Sequence, residues 1–427
     1  MKEGIIIKNI TVIDGTGAEP RKNASVVVKN GIIAKIKNAG QEEIEDVEFA
    51  GFQTIDGTGK FLLPGLMDCH VHLNSYARTD PITVKLWYLT TTPAYRMLHG
   101  VKNLQLLLRA GFTTIRHCGH MPNGTDIHLR DAAKEGIILG PNVLACGGDM
   151  SMTAGHGDLT TPKWAHQVPD RTADGVDECI KSVRSKLRMG ADFIKVHMSG
   201  GVMSEGDPLW WRNYRDEEIA AIVDEAHAFR RKVAVHAHGT EGIKISLRNG
   251  ADTIEHGTFM DDEGRELMLE KGAWLIPTLV TSHAAVKNGI KTGAPLASLE
   301  KARAAWEAGA ENFLKAYKMG IHIANGSDCQ NLRRLRYNRE EFDELYELGI
   351  PPMEIITFAT RNAAEALGLL EEKGTIQEGK IADLIILSDN PLENIKALGS
   401  RKHTEAVILG GKLMINNYKE EYEDEEQ

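Results

Sequence analysis

A chain of 427 residues with 42% apolar and 26% charged side chains has the make-up of one large globular domain plus a smaller one, not of a disordered or fibrous protein. The net charge of −10 and the lack of a basic cluster argue against nucleic acid as a partner, and no apolar run reaches the ~18 residues of a membrane span. Five scattered cysteines without CxxC spacing, behind an N-terminus that reads directly as strand, argue against a disulfide framework or cysteine zinc site and lead us to expect a cytoplasmic protein.

Residues 4–37 alternate and turn like antiparallel β-structure. Ile5 to Ile13 forms one strand, and Asn30-Gly31 joins two more as a hairpin turn. Strand-like sequence returns at Ile381–Leu387, Ala406–Leu409 and Lys412–Met414. Neither terminal segment can bury a face alone. We therefore expect one small β-sandwich domain built from both chain ends, residues 1–62 and 371–418, with residues 419–427 as a solvated acidic tail.

The intervening residues 63–370 repeat a cassette: an amphipathic helix, a glycine, a short apolar strand. The glycine supplies the left-handed position that ends the helix. Instances run through Gly111, Gly190, Gly250, Gly272 and Gly320. In the helix expected over Asp216–Lys232, Ile219, Ile222, Val223, Ala226 and Phe229 share one face. With Phe61–His72, Asn142–Cys146 and Val233–His236 the count is eight strands, so the fold class is α/β, a (β/α)8 barrel. A doubly wound sheet is the alternative, but no GxGxxG follows an early strand.

Chemistry in such a barrel gathers at the C-terminal strand ends, and these strands end in it. His70 and His72 close the first strand on one face, as period two requires. Lys195 and His197 follow on the fourth strand, His236 and His238 on the fifth, His256 on the sixth and Asp328 after the eighth. Imidazoles and carboxylates converging on one rim suit a divalent metal. Lys195 has two readings: a salt-bridged or snorkelling side chain, or an amine converted by CO2 to a carbamate that could bridge two ions.

The strings Pro64-Gly-Leu-Met-Asp68-Cys-His70-Val-His72, Ser199-Gly-Gly-Val202, His236-Ala-His-Gly239, Asp252-Thr-Ile-Glu-His-Gly257 and Gly326-Ser-Asp328 resemble the amidohydrolase superfamily. Within it they resemble the imidazolonepropionase-like group that includes Xaa-Pro dipeptidases and ochratoxin-type amidases. The resemblance implies two divalent ions, zinc before other metals. His70, His72 and Asp328 would hold one, His236 and His256 the other, and N6-carboxylated Lys195 and a hydroxide would bridge them. It implies Asp328 as the proton relay. His156 is either a group that polarises the scissile carbonyl or part of the loop; His238 is a direct catalytic group or a hydrogen-bond partner of one. His197 is read as core or as support for a ligand. Arg116 and Tyr214, with His117 and Arg212 beside them, are candidates to receive a substrate carboxylate.

The expected reaction is hydrolysis of a peptide-like amide in a dipeptide or N-acyl amino acid, by a homo-oligomer, as relatives commonly assemble. Cyclic-amide or imidazolone hydrolysis, mononuclear deamination and lactone hydrolysis are the rivals. A deaminase would carry an acid shortly after the strand-five histidine, and His236-Ala-His-Gly239 has none. The long connections Tyr76–Leu98 and Met150–Arg171 read as walls or lids over the site.

Overall fold

The computed structural model describes residues 4–40, 49, 51–73, 87, 90–119, 124–158, 171–202, 207–289, 296–329 and 337–416. The acidic tail and most of the two expected lids lie outside the described residues. The chain divides into two units. One comprises residues 1–67, 105–114 and 345–427; the other, 68–104 and 115–344.

The first unit is organised by an eight-stranded mixed sheet. Its strands are β1 (Gly4–Val12), β2 (Arg21–Lys29), β3 (Ile32–Lys37), β4 (Gln53–Asp56) and β5 (Phe61–Pro64), then β13 (Leu384–Leu387), β14 (Thr404–Leu409) and β15 (Lys412–Asn416) near the other end of the chain. They run in the order β15-β14-β13-β5-β1-β2-β3, with β4 on β1. Asn30 and Gly31, at φ 52° and 85°, make the tight turn between β2 and β3 that their sequence requires. On β1 the core face falls on Ile5 and Ile7, then on Ile10 and Val12. The change of parity is a bulge: register shifts between Ile7 and Ile10, and Asn9 stands at φ 58°. Ile6 points into a separate cluster with Val27 and Phe49. Both chain ends thus contribute to one sheet, as neither could be stable alone.

The barrel strands are β6 (Leu66–Val71), β7 (Phe112–His117), β8 (Asn142–Ala145), β9 (Phe193–His197), β10 (Lys232–Ala237), β11 (Thr253–His256) and β12 (Trp274–Ile276). They form two sheets, β6-β7-β8 and β9-β10-β11-β12, the second wholly parallel. Irregular segments join them into a ring. Met150 donates to Lys195 O and His197 donates to Met150 O, which links the end of β8 to β9. The eighth strand expected at Ile321–Ile323 is not a regular strand; residues 321–329 make single parallel bridges to Leu275 on one side and Val71 on the other. Backbone bonds from Leu275 to His322 O, Cys69 to Asn325 O and His72 to Cys329 O complete the closure.

Helix ends follow the glycine rule, with Gly190 and Gly272 left-handed at their caps. The helix Asp216–Ala228 buries Ile219, Ile222, Val223 and Ala226. Phe229, expected on that stripe, is instead its C-cap and 56% exposed. No helix among the described residues is long and apolar enough to cross a membrane.

Candidate metal centre

His70, His72, Lys195, His236, His256 and Asp328 line one cavity of about 110 Å³, together with His156, His197 and His238. Strand ends deliver most of them, and the backbone around them is held by side chains of the same unit. Asp68 accepts from the backbone N–H groups of His70 (3.0 Å) and Ser327 (3.1 Å) and from the Ser327 hydroxyl (2.6 Å). It stitches the end of β6 to the segment carrying Asp328, whose own N–H donates to His70 O at 2.7 Å. Gly326 has no room for a side chain there, since a Cβ would fall 2.3 Å from Ile276 Cγ2 and 3.1 Å from His70 Cβ. His256, Thr278 and Asp328 all have positive φ, at 71°, 50° and 49°, the kind of strained backbone that gathers at working sites.

Each imidazole is pinned through one nitrogen. His70 donates Nδ1–H to Glu255 Oε2 at 2.7 Å, His72 Nδ1 faces Gly119 O at 3.3 Å, and His236 Nε2 faces Gly200 O at 3.2 Å. His256 Nδ1 lies 2.6 Å from Thr278 Oγ1, and His238 Nδ1 2.7 Å from Thr258 Oγ1. The opposite nitrogens converge: His72 Nε2 and His70 Nε2 stand 3.0 and 3.6 Å from Asp328 Oδ1, and His236 Nδ1 2.9 Å from His256 Nε2. Pinning one nitrogen while presenting the other is how proteins orient metal-binding histidines.

Two observations test whether these residues fit a divalent metal. A neutral His72 that donates through Nδ1 turns an Nε2 lone pair onto a carboxylate oxygen, and a cation between two such acceptors resolves the conflict. The Lys195 amine, 1% exposed, has no hydrogen-bond partner among the described residues, a costly state for an ammonium. Burial also pushes His70 down to about 4 and His238 to about 3, and holds His236 and His256 well below the usual range. These rings are neutral at pH 7, the form that gives its lone pair to a metal. Oxygen and nitrogen atoms of His70, His256 and Asp328 lie within 4.8 Å of one another, as do those of His236, His238 and His256. The donor set fits.

The remaining candidates divide. His156 belongs to the cavity, with its ring stacked 4.4 Å from His236 and its Nδ1 3.2 Å from Asp207 Oδ2. His197, read as core or support, also lines it, with Nε2 2.9 Å from Asp149 Oδ2. Arg116 and Tyr214 do not. The Arg116 guanidinium is 2% exposed and engaged by Cys69 O, Thr253 Oγ1 and Glu255 Oε1, so it braces Glu255 and is not placed to receive a substrate carboxylate. Tyr214 is fully buried and outside the lining. Glu255 is the main residue that sequence reasoning passed over. An acid inside a four-residue buried strand is as anomalous as Lys195 on its own strand, and that was the available signal. Thr258 and Thr278 lie just beyond strand ends and gave none.

Residues 61–414 match the model of the Amidohydrolase family. An ochratoxinase of Aspergillus niger is 33% identical over 430 residues, 94% of this chain and 85% of that one. A solved Xaa-Pro dipeptidase with methionine bound in its active site is 32% identical with a TM-score of 0.85, over 96% of this chain and 99% of the other. A prolidase complexed with N-methylphosphonate-L-proline is 31% identical with a TM-score of 0.86 and the same coverage.

Proposed function

The chain belongs to the amidohydrolase family and hydrolyses C–N bonds, and from that premise we propose that it is a binuclear, metal-dependent amidase of dipeptides or N-acyl amino acids with a free C-terminal carboxylate. The observation that carries this reading is the convergence of five donors on one cavity around an amine that has no hydrogen-bond partner among the described residues. His70, His72 and Asp328 would hold one ion, His236 and His256 the other, with carboxylated Lys195 shared between them. Zinc suits imidazole and carboxylate donors best. Ions bound there would supply Lewis acidity and a water acidic enough to act as nucleophile at neutral pH.

Protein groups move the proton and hold the amide. Burial alone would raise the Asp328 carboxyl, but a positive group at its Oδ1, either a proton on His72 Nε2 or the bound ion in its place, holds it well below the usual carboxylate range. It is therefore ionised, able to take the proton of the attacking water and pass it to the leaving nitrogen. His156, whose Nδ1 lies 3.2 Å from Asp207 Oδ2, lines the same cavity and would face the carbonyl oxygen. His238, whose Nδ1 would accept from the Thr258 hydroxyl, lines the cavity and would present Nε2–H to the substrate carboxylate. Among the described residues the lining includes no arginine for that task.

A dipeptide library assayed before and after chelation tests the reading. Amine release that disappears on chelation and returns with zinc is expected. A rate untouched by metal removal would overturn it, and turnover that tracks a single ion per chain would favour a deaminase.

A further inference from the structure

Part of the cavity wall comes from one turn of the helix Leu296–Lys318, which contributes Ala305, Trp306 and Gly309. Gly309 is the unexpected member. Glycine is the worst helix former after proline, yet this one lies mid-helix at an ordinary negative φ. Packing does not require it either. A Cβ at this position would meet nothing closer than Leu279 Cδ2 and Thr258 Cγ2, both at 3.9 Å, which is ordinary van der Waals contact. The volume a side chain would take belongs to the cavity. A methyl group at this position would project into that 110 Å³ space.

Beside this gap stands a braced aromatic plane. The Trp306 ring stacks on His283 at 4.0 Å and 7°, and His283 Nδ1 lies 2.6 Å from the buried Glu344 Oε2. A flat, fixed indole next to a missing side chain suits a second ring, which gains from stacking beyond its buried area.

Taking the cavity as the amidase site proposed above, we propose that Trp306 and Gly309 form a ring-binding subsite, so that the preferred amides carry an aromatic side chain next to the scissile bond. The subsite explains why a helix keeps its least favourable residue where nothing in the fold demands it.

Gly309→Ala separates fold from substrate, because the two effects have opposite sign. Wild type should hydrolyse Ala-Phe or Phe-Ala with a higher kcat/KM than Ala-Ala. In Gly309→Ala, kcat/KM for the ring-bearing peptide should fall about tenfold or more, the scale of one misplaced methyl group in a pocket. Ala-Ala should change less than about threefold, and the melting temperature should stay level or rise. Trp306→Ala should remove the same preference and Trp306→Phe should restore most of it. Equal losses on all three peptides, or a wild-type preference for Ala-Ala, would overturn the subsite while leaving the amidase reading intact. Should none of the peptides be cleaved, the amidase reading fails and calorimetry decides the subsite. Tighter binding of phenylalanine than of alanine, abolished in Gly309→Ala, supports it; equal binding refutes it.

Discussion

On one side of the cavity His70 is backed by Glu255, a carboxylate braced in turn by Arg116 at Oε1; on the other, His256 and His238 are backed by the hydroxyls of Thr278 and Thr258. Burial would raise the Glu255 carboxyl, but the Arg116 guanidinium and the His70 hydrogen bond hold it well below the usual range, so it stays ionised. A charged acceptor makes an imidazole a stronger donor to metal than a neutral hydroxyl does. The His70 side should therefore bind its ion more tightly and depend more on the residue behind the histidine. The contrast also shows where the fold has spent charge: the buried Arg116–Glu255 pair supports one side only.

Apart from Lys195, the largest effect is expected at Asp328, the carboxylate facing both His70 and His72. Asp328→Asn should lower kcat by ~10²–10⁴, the usual scale for losing a proton-transfer group, while most bound metal remains. A rate near wild type would remove Asp328 from the relay. Next comes the comparison itself. Glu255→Gln should weaken metal binding by ~10–100-fold and lower the melting temperature, because Arg116 is left buried without its counter-charge. Thr278→Val should cost about tenfold at most, with little change in stability. Metal titration of the two apo-variants decides, and equal losses would break the asymmetry.

The smallest effect concerns pH and the metal-free protein. Burial pushes His70 to about 4 and both His197 and His238 to about 3, each below the ~6.5 of an unfolded histidine. Between those values the unfolded chain binds more protons than the folded one, so stability is full above pH ~6.5 and is lost as pH falls toward 4. Melting curves of apo-protein from pH 7 to 4 should descend, and less steeply in His238→Gln. A flat profile would mean that the rings are not held neutral.

Periodicity made the barrel strands, the glycine stops and the joint use of both termini legible, because burial on a strand or helix face repeats at fixed spacing. The closing segment around Ile321–Cys329 was less so, since its pairing consists of isolated bridges that leave no periodic trace. In the site, residues at strand ends could be read because alternation aims them together. Arg116 was misassigned for the opposite reason: its partner Glu255 is 139 positions away, and no local pattern announces such a pair. Thr278 and Asp207 escaped notice because both lie in irregular chain that only the tertiary fold brings to the histidines.

The central claim is that Lys195 is the group shared by two ions. Metal content by mass spectrometry on wild type and Lys195→Ala, set beside amide hydrolysis by the same samples, addresses it directly. The account predicts two divalent ions per chain in active wild type, and fewer ions with no measurable turnover in the variant. Full occupancy and full rate in Lys195→Ala would contradict it.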